Sequence, residues 1–163
     1  IGQNGQAMAL RRYMENLSKA SILFEESAPL LEKLSESHRL AILTNGLTRV
    51  QEVRVKQSAI AHHIEAFVIS EEVGVAKPDP QIFEILLGKL GGAAPDTVLM
   101  VGDSLTSDVQ GGINAGIDTC WYNPEGKRNT TELEPTYEIQ RLEELLDIIL
   151  AESESEKVHR TSV

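Results

Sequence analysis

Four short apolar runs punctuate the chain: LAILT (40–44), AFVIS (66–70), TVLMVG (97–102) and IDTCWY (117–122). They are rich in β-branched residues and show little polar alternation, which suits strands buried on both faces of a parallel sheet. Between them lie amphipathic stretches at 26–37, 48–59, 80–91 and 106–115. A last amphipathic stretch, 140–151 (QRLEELLDIILA), follows TYEI at 136–139, which suits an edge strand. Alternating strand and helix over this length predicts an α/β fold, a Rossmann-like three-layer sandwich with a mainly parallel sheet. The 163 residues suffice for one domain with a sizeable core.

Some segments fall outside that alternation. Residues 5–19 read as a separate helix, and the tail from Glu152 (ESESEKVHRTSV) has little to bury and is expected to be solvated and mobile. Thr161-Ser162-Val163 reads as the end of that tail, or as a strand offered to a peptide-binding domain. Asp79 is placed to cap a helix with Pro80 at its first position, and Pro95-Asp96 punctuates the entry into the third strand.

Charge narrows the partners. A net charge of −10, from 15 basic and 25 acidic residues, argues against polymeric nucleic acid, whose backbone demands clustered Lys and Arg. A small phosphorylated metabolite needs only one or two local positive groups and stays open. The single cysteine, Cys120, allows no intramolecular disulfide and fits a reducing, cytoplasmic setting. No apolar run approaches the length of a membrane span, and no leader pattern opens the sequence. The first residue is Ile1, which raises the expectation of a processed chain or a piece of a longer one.

Ligands of open α/β sheets bind beyond the carboxyl ends of the strands. Here the first strand ends in Thr44-Asn45-Gly46, the second in Ser70-Glu71-Glu72, the third in Gly102-Asp103 and the fourth in Tyr122-Asn123. All four sets are expected along one sheet edge. Asp103 and Asp108, in GDSLTSD, suit a hard cation such as Mg²⁺, with Gly102 expected to let the backbone turn sharply beneath it. The alternative is a polar strand-to-helix loop with Asp108 or Ser107 as a helix cap. Thr44, Asn45 and Gly46 supply a hydroxyl, an amide and backbone N–H groups for phosphate oxygens, or simply a strand end and turn. Lys77, in GVAKPDP, precedes Pro78 and is expected on a loop that delivers a compact charge, against the commoner solvated lysine. His62-His63 lack metal-ligand helical spacing and read as surface near a turn, while Cys120 and Trp121 read as core.

Thr-Asn-Gly, then Lys-Pro, then Gly-Asp-x-x-x-x-Asp, in that order, resembles the haloacid dehalogenase superfamily of phosphohydrolases. The resemblance spans about residues 20–150. The stretches VISEEVGVAKPDPQIFEILL and VLMVGDSLTSDVQGGINAGIDTCWYNP are similar to its house-cleaning pyrimidine 5′-nucleotidases, which dephosphorylate nucleoside monophosphates such as UMP, dUMP and TMP. The resemblance implies that Thr44 hydrogen-bonds the transferring phosphoryl group and that Asn45 and Gly46 help seat it. It implies that Lys77 neutralises phosphate and nucleophile, that Asp103 binds Mg²⁺ and that Asp108 supports the metal site. Glu71 and Glu72 belong to the subfamily pattern without a catalytic assignment.

One motif departs from the family. Its first motif, Asp-x-Asp-x-Thr/Val, supplies the nucleophile and the general acid/base, yet no aspartate precedes Thr44. The only acids there are Glu15, Glu25, Glu26, Glu32 and Glu36. No nucleophile is therefore expected in this chain, which by itself is expected to be inactive. In the family fold the strand carrying that motif lies between the strands of motifs two and four. Its absence would leave unpaired edges at about 1–3 kcal/mol for each buried group, against a total stability of about 5–15 kcal/mol. The expected organisation is the end of a helical cap at 1–19, a core lacking its first strand at 20–151 and a mobile tail at 152–163.

With its missing segment, such a protein would hydrolyse phosphomonoesters through an aspartyl-phosphate, with Mg²⁺ as cofactor. Two rivals stand beside that reading. One is a sugar- or sialic-acid-phosphate phosphatase of the same superfamily. The other is a non-catalytic module that binds phosphate or meets partners.

Overall fold

The computed structural model describes residues 27–48, 51–52 and 60–150. The expected helix at 5–19, the cap segment 1–19, most of the 48–59 helix and the tail 152–163 lie outside the described residues; residues 48, 51 and 52 are helical.

Helix α1 (Ser27–Ser35) leads into β1 (Leu40–Thr44), whose bounds match the apolar run LAILT. Strand β2 (Ile64–Ile69) begins two residues earlier than the run AFVIS and ends one earlier, because Ser70 opens a single helical turn, α2 (Ser70–Val73). Gly74 closes that turn in the left-handed conformation at φ 75°, where a side chain would be strained, and so starts the loop that carries Lys77. Helix α3 (Pro80–Lys89) starts as its signals predict: Asp79 accepts a hydrogen bond from the Gln81 N–H at 2.9 Å, and Pro80 occupies the first turn. Strand β3 (Leu99–Gly102) is shorter than 97–102, since Pro95–Thr97 forms a 3₁₀ turn first.

The expected helix at 106–115 is two pieces. A π-type turn spans Leu105–Val109, and α4 (Gln110–Asn114) continues it. Strands β4 (Asp118–Tyr122) and β5 (Tyr137–Ile139) follow, then a helical segment over 144–150, later than the 140 start expected.

Every strand pairing among the described residues is parallel, and alternate side chains enter opposite layers. Ala41, Leu43 and Met100 join Ile82, Phe83, Leu86 and Leu87 of α3 on one face. Leu40, Leu99 and Val101 join Leu30 and Leu34 of α1 and Leu145 on the other. This is the three-layer α/β sandwich that the apolar runs imply. Phe83 and Ile82 are almost fully buried, each side chain contributing about 1.5–3 kcal/mol. Gly111 admits α3 closely, because a Cβ there would stand 2.6 Å from the Phe83 ring.

Among the described residues the strands form two sheets rather than one: β1 pairs with β2, while β3, β4 and β5 run in order. Among the described residues β1 and β3, the strands leading into Thr44-Asn45-Gly46 and Gly102-Asp103, share no backbone ladder.

Candidate active site

The carboxyl ends of β1, β2 and β3 converge on Lys77. Its side chain is only 9% exposed, far from the solvated lysine that the sequence left open. The ammonium donates to the Leu43 carbonyl at the end of β1 at 2.8 Å, and to Asp108 Oδ1 beyond β3 at 2.6 Å. An ammonium has three donors, so one N–H remains for an incoming anion.

Asp108 is buried, and its second oxygen, Oδ2, accepts from the Ser104 N–H at 3.0 Å. It does not open a helix; it sits inside the π-type turn. Ser104 starts that turn, its hydroxyl accepting from the Ser107 N–H at 3.2 Å and its carbonyl from the Val109 N–H at 3.1 Å. The cap is therefore Ser104, not Ser107 or Asp108. Gly102 also has a different role from a sharp turn, since its φ is not positive. A Cβ on Gly102 would stand 2.3 Å from Asp108 Oδ2, so glycine makes room for the buried carboxylate.

Asp103 occupies a contrasting environment. It is exposed, its carbonyl accepts from Trp121 Nε1 at 3.1 Å, and it borders a cavity of about 450 Å³ lined also by Trp121, Tyr122, Asn123 and Leu142.

The Thr44-Asn45-Gly46 turn is more committed than its sequence suggests. The Gly46 N–H donates to Ser70 Oγ at 3.1 Å rather than standing free. Asn45 spends its side chain on Lys77: Nδ2 donates to the Lys77 carbonyl at 3.0 Å and Oδ1 accepts from the Lys77 N–H at 2.9 Å. The Thr44 hydroxyl is half-buried and makes only a 3.4 Å contact with the Asn45 carbonyl. Ser70 and Glu71, which sequence reasoning left without a role, brace this turn; Glu71 Oε2 accepts from the Thr48 N–H at 2.6 Å. Both follow β2 directly, but only the strand pairing brings them to β1, so no local signal marks them.

Comparison with known proteins decides the family. Residues 4–116 match the haloacid dehalogenase-like hydrolases. The chain belongs to this family. Among curated haloacid dehalogenase-like relatives, it is 39% identical over 140 residues to the pyrimidine 5′-nucleotidase PynA of Streptococcus pneumoniae, covering 85% of this chain and 59% of the relative. It is 39% identical over 120 residues to the pyrimidine 5′-nucleotidase YjjG of Escherichia coli, covering 74% and 53% respectively. The chain thus spans little more than half the length of these relatives. The magnesium-bound crystal structure of the hydrolase YfnB from Bacillus subtilis superimposes with a TM-score of 0.81 at 36% identity, covering 85% of this chain and 60% of that one.

Within this haloacid dehalogenase-like fold, Asp103 and Asp108 offer the oxygen donors that Mg²⁺ accepts while keeping several waters. The two fit unequally. Asp103 has an exposed carboxylate, whereas both oxygens of Asp108 already accept N–H groups. No cluster of three or more acids, His or Cys suited to a metal occurs among the described residues. The donor set therefore fits part of a Mg²⁺ shell at most: Asp103 presents an exposed carboxylate, and Asp108 is tied to Lys77 and the Ser104 N–H.

Two other groups lie away from this edge. His62 and His63 form a 3₁₀ turn at the opposite, N-terminal end of β2, where His63 Nδ1 lies 2.9 Å from Ser35 Oγ. Cys120 is fully buried, and burial, with a smaller contribution from Glu144, pushes its thiol up to about 11. No helix among the described residues is long and apolar enough to cross a membrane.

Proposed function

We propose that this chain forms the phosphate- and magnesium-binding part of a cytoplasmic phosphohydrolase acting on pyrimidine nucleoside 5′-monophosphates. One observation carries the reading: a buried lysine, Lys77, is held by Asp108 at the sheet edge where Thr44 and Asp103 also end. Desolvation of a buried ion pair can cost as much as its attraction returns, so the pair is poorly explained as a stabilising device, which favours a ligand-facing role.

In this reading the Thr44 hydroxyl hydrogen-bonds a phosphoryl oxygen, Asn45 and Gly46 shape the turn beneath it, and the remaining Lys77 N–H meets the anion. Asp108 holds the ammonium in place. Mg²⁺ bound by Asp103 would supply further positive charge to the phosphoryl oxygens. The nucleophile is an aspartate on a strand that fits between β1 and β3. It attacks phosphorus and displaces the nucleoside, whose 5′-oxygen takes a proton from the second aspartate of the Asp-x-Asp motif. Water then hydrolyses the aspartyl-phosphate to aspartate and inorganic phosphate. The unladdered edges of β1 and β3, together with the lack of aspartate before Thr44, support that placement. Residues 1–19 would then be the end of a cap domain and 152–163 a tail.

A panel of phosphomonoesters tests the substrate class. The complete protein with Mg²⁺ should release phosphate from UMP, dUMP and TMP faster than from sugar phosphates or N-acylneuraminate 9-phosphate. Preference for the sugar substrates would move the assignment to a sugar-phosphate phosphatase. Tight phosphate binding without turnover by the complete protein would make it a binding module.

A further inference from the structure

We propose that Asn45 is a positioning residue that acts through Lys77 rather than by touching phosphate. The inference rests on the reading of Lys77 as the phosphate-facing cation and deepens it.

The Asn45 amide presents an NH₂ group and a carbonyl oxygen, and both engage the same residue. Nδ2 donates to the Lys77 carbonyl at 3.0 Å, and Oδ1 accepts from the Lys77 N–H at 2.9 Å. Two opposed hydrogen bonds fix both the position and the rotation of a peptide segment, where one bond would leave a swivel. Nδ2 also reaches Ser107 Oγ at 3.4 Å, in the π-type turn that houses Asp108. One amide therefore joins the end of β1, the Lys77 loop and the Asp108 turn.

The arrangement matters because Lys77 lies on a loop. A lysine side chain carries considerable rotamer entropy, and its ammonium can be delivered to one point only if the backbone is fixed first. Asn45 fixes the backbone, while the Leu43 carbonyl and Asp108 fix the ammonium. With its acceptor spent on the Lys77 N–H and its donors on the Lys77 carbonyl and Ser107, the Asn45 amide has little left for an anion.

The test measures binding of inorganic phosphate to this chain and to Asn45→Ala, Lys77→Ala and the double variant. Thermal midpoints and dispersed spectra confirm that each is folded. The expected result is about five- to tenfold weaker binding for Asn45→Ala, and no further loss when Asn45→Ala is added to Lys77→Ala. Equal losses in both backgrounds would mean that Asn45 meets phosphate directly, which overturns the proposal. So would unchanged binding in Asn45→Ala with a loss in Lys77→Ala. Binding indifferent to Lys77→Ala would overturn the phosphate reading itself, and this inference with it. A measurement on the unaltered chain stands apart from any variant's folding: the Lys77 amide should exchange slowly with solvent. Exchange at the rate of an open loop would show that the clamp does not form.

Discussion

Lys77 Nζ and Asp108 Oδ1 lie 2.6 Å apart, and the pair bridges two sheets that no backbone ladder joins among the described residues. Lys77 follows β2 and Asp108 follows β3. Asn114 Nδ2 donates to the Pro78 carbonyl at 3.0 Å and crosses the same seam. The buried charge pair thus adds to the shared apolar core in holding the two sheets together.

Removing one partner of this pair should therefore cost more than removing both. With the side chains 9% and 8% exposed, Lys77→Met leaves Asp108 buried and unpaired, a loss of about 3–5 kcal/mol. Adding Asp108→Leu should return part of that loss. Urea unfolding of the two single variants and the double variant measures the difference; additive losses would count against a coupled buried pair.

Gly102→Ala should destabilise the fold by about 1–3 kcal/mol, because the new methyl group would stand 2.3 Å from Asp108 Oδ2. Gly88→Ala is the control, since a Cβ there meets nothing within 4 Å. Comparable unfolding midpoints for the two variants would contradict the packing described.

The distinction between Gly102 as a turn and Gly102 as a space shows where the sequence stops being legible. The apolar runs place β1 to the residue and announce a three-layer sandwich, because burial on both faces leaves a chemical signature in the run itself. The Asp79-Pro80 helix start is equally local and equally readable. Thr44, Lys77, Asp103 and Asp108 are candidates through the family resemblance of their motifs, and what the structure adds is their surroundings. What could not be read is who holds whom. Asn45 on Lys77, Ser70 on Gly46 and Glu71 on Thr48 join residues 32, 24 and 23 positions apart, and only the pairing of the strands creates them. The π-type turn at Leu105–Val109 encloses Asp108, whose burial and bond to Lys77, 31 positions away, no local pattern announces.

Cys120 should resist thiol reagents while the chain is folded. Its thiol is pushed from about 9 up to about 11, so at pH 8 the thiolate fraction is about a hundredfold below that of a free cysteine. The sign of its effect on stability follows. The contribution is intact below pH 9, where both states keep the proton, and is lost as pH rises towards 11 because the unfolded chain ionises first. Rapid labelling without denaturant, or stability rising across that range, would contradict the buried thiol.

Trp121, the sole tryptophan, donates its indole N–H to the Asp103 carbonyl at 3.1 Å and so reports on the metal position proposed there. Adding Mg²⁺ should change its fluorescence saturably, and Asp103→Asn should abolish the response. A response that survives in Asp103→Asn would place the ion elsewhere.

The most direct test of the account is Mg²⁺-dependent phosphate release from UMP by the 163-residue chain, assayed alone and with an added apolar strand peptide ending in Asp-x-Asp. The account predicts no turnover by the chain alone and turnover when the peptide fills the place between β1 and β3. Turnover by the chain alone would contradict it, because the attacking group would then lie within these residues.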